Sequence, residues 1–83
     1  IIYHTADGKL LETSIGNLVL KMEGKLYTPP SQLGLLPGIY RQHLLEIGQV
    51  EEKVLTLSDL KQAEVIYACN AVRGLYELSV KEN

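Results

Sequence analysis

The chain has no tryptophan, no phenylalanine, one cysteine and one methionine. A single Cys69 excludes an internal disulfide. Its apolar run, Val65-Ile66-Tyr67-Ala68, is the usual setting of a buried thiol in a reducing cytoplasm. With no acid or histidine beside it in sequence, it does not read as a catalytic thiol. The only aromatics are Tyr3, Tyr27, Tyr40, Tyr67 and Tyr76, expected as core or half-buried strand residues. Positive charge is not in excess. Eight basic and ten acidic residues are interspersed for a net charge of −2, which argues against a nucleic-acid partner. No apolar run approaches the roughly 18 residues of a membrane span, and no signal-peptide pattern is present. His4 and His43 have no ligand at metal-binding spacing, and neither Ser14 nor Ser58 sits in a nucleophile elbow. There is no initiator methionine. The opening Ile1-Ile2-Tyr3 reads as mid-strand, so a fragment of a longer protein is expected. Eighty-three residues make one small domain, marginal in stability by itself.

What is present alternates between strand-like and turn-like stretches. Ile1 to Thr5 is expected as a strand, and Ala6-Asp7-Gly8-Lys9 as a turn. Leu10-Leu11 then runs extended into Glu12, which lies on a short polar turn. Asn17 to Glu23 and Lys25 to Thr28 read as a hairpin about Gly24, ended by Pro29-Pro30. Residues 31–37 read as a leucine-rich loop. Pro37-Gly38 should open a helix to Ile47, with Tyr40, Leu44 and Ile47 on one face and Gly48 closing it. Glu51 to Leu57 alternates as a strand with Glu51-Glu52 as its solvated entry. Ser58 is expected to cap a short helical turn over Asp59 to Ala63. Glu64 to Cys69 and Leu75 to Val80 are strands, parted by a break at Asn70 to Gly74, and Lys81-Glu82-Asn83 frays. Strands dominate around one main helix, an α+β pattern in which several strands have partners elsewhere.

Three constellations could carry chemistry. Glu12 reads either as a solvated carboxylate or as the partner of a pyridine nitrogen, where it would keep that nitrogen protonated and the ring electron-accepting. Ser14 and Asn17 would fix its turn through local hydrogen bonds. At Leu36-Pro37-Gly38-Ile39-Tyr40-Arg41, the first helical amides lack intrahelical acceptors and the dipole favours an anion there. That stretch is either an ordinary glycine-initiated helix or a phosphate cradle built from the amides of Ile39 and Tyr40, with Gly38 allowing close approach. In Cys69-Asn70-Ala71-Val72-Arg73-Gly74, Asn70 could complete a phosphate site and Arg73 could clamp a carboxylate. Read alone, these are a turn asparagine and a surface arginine.

In order and spacing these elements resemble the signature of the class IV pyridoxal-phosphate aminotransferases and their lyase relatives. Glu12, Ser14, Asn17 and Leu18 match its first block, and Val19 stands where an aromatic is usual. Leu26 and Thr28 match the second block; Leu36, Gly38, Ile39 and Arg41 match the last. The resemblance covers roughly residues 1–80. It is closest to aminodeoxychorismate lyase, including lyase domains fused behind component I of para-aminobenzoate synthase, on Tyr27-Thr28-Pro29-Pro30, Gly38-Ile39-Tyr40-Arg41 and Cys69-Asn70-Ala71-Val72-Arg73-Gly74-Leu75.

The resemblance implies the strand-rich part of the large domain of the D-amino-acid aminotransferase-like fold, with pyridoxal 5'-phosphate as cofactor. Glu12 would take the pyridine nitrogen, and Ile39, Tyr40 and Asn70 the phosphate beside Gly38. Arg73 would face the substrate. It further implies a cytoplasmic homodimer that converts aminodeoxychorismate to 4-aminobenzoate and pyruvate. Branched-chain or D-amino-acid transamination is the alternative within the family, and a non-catalytic binding module the alternative outside it. The family's Schiff-base lysine lies farther upstream of the acid than the eleven residues that precede Glu12 here. Lys9 is too close to serve. The chain alone is therefore expected to lack the catalytic lysine and the small N-terminal domain, and to be inactive.

Overall fold

A computed structural model describes residues 2–35 and 38–78. The elements run β1 (Ile2–His4), β2 (Leu10–Thr13), β3 (Gly16–Met22), β4 (Lys25–Thr28), a 3-10 turn (Ser31–Leu33), α1 (Ile39–Glu46), β5 (Glu51–Glu52), α2 (Leu57–Gln62), β6 (Val65–Asn70) and β7 (Gly74–Glu77). Leu36, Pro37, and the expected ends of the last strand at Val80 and of the tail at 81–83 lie outside the described residues.

Among the described residues, seven strands form one sheet organised on β3. One edge of β3 is taken by β6, antiparallel from Asn17↔Cys69 to Lys21↔Val65. The other edge is shared. β2 pairs with its start (Glu12↔Asn17, Thr13↔Gly16) and β4 with its end (Leu20↔Tyr27 to Met22↔Lys25). β5 adds to β4 in parallel, β7 to β6 and β1 to β2 in antiparallel.

The run Leu18-Val19-Leu20 is fully buried because both faces of β3 are covered. Alternation sends Leu18 and Leu20 to one side, where they meet Leu10 and Leu55, with Leu60 of α2 packed against them. Val19 points to the other side, into a cluster of Leu44 from α1, Val50 and Cys69, with Tyr40 and Leu75 against it. Cys69 is thus a core thiol, as its neighbours in sequence imply. Polar side chains reach into these layers as well, and some find partners there. The buried Thr28 hydroxyl, for example, donates to the Leu18 carbonyl at 2.7 Å.

Several local expectations change. Glu12 lies within β2, and the turn that follows is Ser14–Ile15. Thr13 fixes that turn: its hydroxyl donates to the Gly16 carbonyl at 2.7 Å and accepts from the Ile15 N–H at 3.2 Å. The strand expected over Glu51 to Leu57 is only two residues long, and α2 begins at Leu57. Thr56 is its cap and not Ser58, since only Thr56 has an acid three residues on. Its hydroxyl accepts from the Asp59 N–H while the Asp59 carboxylate accepts from the Thr56 N–H at 2.9 Å. Ile47 leaves the apolar face, because α1 ends at Glu46 and Ile47 stands half-exposed at the C-cap before the left-handed Gly48. Tyr3 is likewise exposed on the edge strand β1.

Replacing Thr56 with alanine removes one half of the capping box and should lower unfolding free energy by about 1 kcal/mol. Urea denaturation of Thr56→Ala, with an unchanged slope and a lower midpoint, is the expected outcome.

Candidate functional site

Cross-strand register puts Glu12, Asn17 and Cys69 in one row over β2, β3 and β6. Residues opposite one another in antiparallel strands project to the same face, here the face covered by α1. A cleft of about 530 Å³ opens at the end of this row. It is lined by Glu12, the 13–16 turn, Asn17, Tyr3, Cys69, Asn70 and Ala71 from the sheet, and by Gly38 and Ile39 from the start of α1.

The helix start is very close to β3. A Cβ built on Gly38 would overlap the Asn17 Oδ1, although the backbone there (φ −72°, ψ 130°) suits any residue. Only a glycine lets α1 seat this deeply on the buried Asn17. Gly38 brings no capping side chain, and no acid lies in the first turn, which leaves that end of the helix suited to an anion. Gly16 is similarly constrained, with a Cβ falling 2.6 Å from the Cys69 carbonyl oxygen.

The structure brings four of the sequence candidates, Glu12, Gly38, Ile39 and Asn70, around one cleft. The other two, Tyr40 and Arg73, do not line it. The Tyr40 ring lies where a Cβ on Gly74 would touch it and packs into the core under α1, so only its main chain is at the helix start. The Arg73 guanidinium stacks on the Tyr76 ring, 4.2 Å from the centroid. The amide of Asn70 is engaged at both ends. Nδ2 donates to the Ile15 carbonyl (2.9 Å) and the Tyr76 hydroxyl (3.4 Å), and Oδ1 accepts from the N–H groups of Val72 (3.0 Å) and Arg73 (2.8 Å). It ties the 14–15 turn to the 71–73 turn across the mouth. The Cys69 thiol, fully buried in the cleft floor, is pushed above its ordinary range by burial, with the Arg41 charge acting in the opposite direction. That thiol stays protonated and a poor nucleophile at neutral pH.

Two features were not read from sequence. Gly16 inside a strand signals a close backbone approach. The other is the Arg41–Glu52 pair. Arg41 is buried, and its Nη2 donates to the Pro29 carbonyl at 2.8 Å and to Glu52 Oε2 at 2.5 Å. Glu52 also accepts from the Ser31 N–H at 3.3 Å. It is therefore an ion-pair partner and not simply a solvated strand entry, a pairing that no local spacing betrays. The hydrogen bond from Arg41, helped by that from Ser31, holds the Glu52 carboxyl below its ordinary range.

The sequence profile of the family described as "Amino-transferase class IV" matches residues 1–79. The chain belongs to the class IV aminotransferase family. An aminodeoxychorismate lyase from Vibrio harveyi is 31% identical over 75 residues, covering 84% of this chain and 28% of the lyase. A branched-chain aminotransferase from Thermoproteus uzoniensis, solved with norvaline, superposes with a TM-score of 0.80 at 30% identity over 93% of this chain and 28% of its own. A hypothetical aminotransferase of Mycobacterium tuberculosis in its PLP-bound form shares the fold (TM-score 0.82, 23% identity, 93% of this chain and 29% of its own). The chain spans 27% to 36% of the length of its curated relatives. The strand-rich α+β architecture is thus part of the class IV aminotransferase fold. No helix among the described residues is long and apolar enough to cross a membrane.

Two expectations follow. Gly38→Ala should cost about 1–3 kcal/mol of stability through overlap with Asn17, whereas a purely conformational effect at this φ would be neutral or stabilising; chemical denaturation separates them. Because the Glu52 pKa is depressed in the folded state, its stabilisation is present above the unfolded value and is lost as pH falls through the folded one. The unfolding free energy of Glu52→Gln should therefore vary less with pH than that of wild type between about pH 5 and 3, a modest difference because the Glu52 side chain is 41% exposed.

Proposed function

We propose that this chain is the cofactor-holding part of the large domain of a pyridoxal-phosphate enzyme, with the small N-terminal domain and the Schiff-base lysine on other parts of a longer protein. The observation that carries this reading is the convergence on one cleft of a strand carboxylate, Glu12, and a glycine-started helix N-terminus at Gly38-Ile39. The donor set fits the group. An acid suits a protonated ring nitrogen and main-chain amides suit a phosphate, and both groups line one cleft of about 530 Å³. When bound, pyridoxal phosphate supplies an electron sink for a carbanion at the substrate's α carbon.

The chain's own residues hold and orient. Glu12 keeps a proton on the ring nitrogen through charge pairing. The N–H groups of Ile39 and Tyr40, aligned with the helix dipole, take the phosphate. Residue 70 contributes its main chain and sets the mouth through its amide, since that amide is already committed to the two turns. Arg73, on the 71–73 turn, is the substrate-side cation; reaching a carboxylate requires it to leave the Tyr76 ring. The buried Cys69 keeps the floor dry and takes no part in proton transfer.

For the whole protein we favour 4-amino-4-deoxychorismate lyase, forming 4-aminobenzoate and pyruvate in folate biosynthesis in the cytoplasm. The support is the Asn70-Ala71 pair at the mouth and the lyase relative. A branched-chain transaminase is the reading supported by the aminotransferase neighbour, and D-amino-acid transamination is the other alternative within the family. A homodimer is expected for the full-length enzyme.

The test uses the full-length protein. After incubation with pyridoxal phosphate and borohydride reduction, intact mass should show a stable adduct that is lost when the upstream lysine is replaced. No adduct would leave a binding module of the same fold. Pyruvate release without an amino acceptor identifies the lyase, and a requirement for a keto acid identifies the transaminase. Glu12→Ala should lower kcat by at least about 100-fold, the scale of losing one preorganised electrostatic partner; turnover at the wild-type level would refute its role.

A further inference from the structure

The Arg41–Glu52 pair is expensive to keep for stability alone. Arg41 is 4% exposed, and its Nε has no hydrogen-bond partner among the described residues. A buried guanidinium with an unsatisfied N–H is costly, and apolar replacements of buried pairs are often as stable or more so. The location suggests a different use. Arg41 stands in the first turn of α1, two residues beyond Ile39. Its two acceptors are Pro29, just after β4, and Glu52, at the end of β5. Glu52 also holds the Ser31 N–H, so the loop leaving β4 is gathered to the same carboxylate. The same side of this helical turn, where a Cβ on Gly38 would also come within 3.6 Å of the Arg41 Cβ, is pressed on β3 through Gly38 and Asn17. The turn is therefore held at its Gly38 end by Asn17 and at its Arg41 end by the β4–β5 edge, and freeing Arg41 leaves only the Gly38 end held.

We propose that the Arg41–Glu52 pair is a positioning latch that fixes the height and tilt of the α1 N-terminus over the cleft. Its consequence for the cofactor rests on the function proposed above; its effect on the helix does not. Glu52 is half-exposed and its removal leaves no cavity in either core cluster, so variants at this position should fold.

The experiment compares Glu52→Ala with Glu52→Gln, which can still accept from Arg41, in the full-length protein. The first helical bond of α1 runs from the Gln42 N–H to the Gly38 carbonyl at 3.0 Å. In cofactor-free protein, amide exchange at Gln42 should be about tenfold faster in Glu52→Ala while the β3–β6 ladder keeps its protection. Glu52→Gln should stay within about threefold of wild type at both places. Pyridoxal-phosphate affinity, measured by absorbance titration, should fall about tenfold in Glu52→Ala and be restored in Glu52→Gln. Unchanged Gln42 exchange in Glu52→Ala overturns the latch. So does acceleration of Gln42 and the ladder together, which would make the pair a general stabiliser. If wild type takes up no pyridoxal phosphate, the proposed function fails, and the Gln42 exchange still decides the latch.

Discussion

The approach of α1 to β3 is the constraint on which the cleft depends. Helices normally rest on sheets at a distance set by side chains on both surfaces. Here the helix starts on a residue with no side chain, and the sheet offers it a buried asparagine. Main-chain amides thereby come down to the level of the sheet row that carries Glu12. Any side chain at residue 38 lifts the helix start away from the sheet row that carries Glu12. Gly16 does the same for the turn beside Glu12, letting it lie against the Cys69 main chain. Two glycines, both in backbone conformations open to other residues, thus act through the volume they leave unfilled.

Around this point the sheet is built as a wall with both sides covered. Leu18 and Leu20 look toward α2 and Leu55, while Val19 looks toward α1. A strand buried on both faces cannot slip by one residue without sending Asn17 into an apolar layer and a leucine into the cleft. The apolar core and the polar cleft are therefore set by the same register. Asn70 extends that order to the mouth, where one amide fixes two turns from different strands.

Much of this was legible in the residues. Asp-Gly, Gly24, Pro29-Pro30 and the Gly48 stop marked the turns, and apolar runs marked β3 and β6. Glu12, Gly38, Ile39 and Asn70 were named from sequence, and the fold brings them to one cleft. What failed was of two kinds. Local rivals misled where two residues could do one job, as with Ser58 against Thr56, where Asp59 decides, or with Ser14 against Thr13 in the turn. Contacts between distant segments left no trace at all. Nothing near Glu52 announces Arg41. Tyr40 was expected on the apolar face of α1 with Leu44, and its ring packs there.

The sharing of one β3 edge by β2 and β4 has a kinetic corollary. Both of those neighbours are hairpin partners, joined to β3 by turns of two residues, and can form quickly from local chain. The third neighbour, β6, reaches β3 only after α1, β5 and α2 have been threaded between, a closure that is slow because it is distant in sequence. Cys69, Asn70 and Ala71 arrive with β6. The cleft is therefore completed only when this long-range pairing forms.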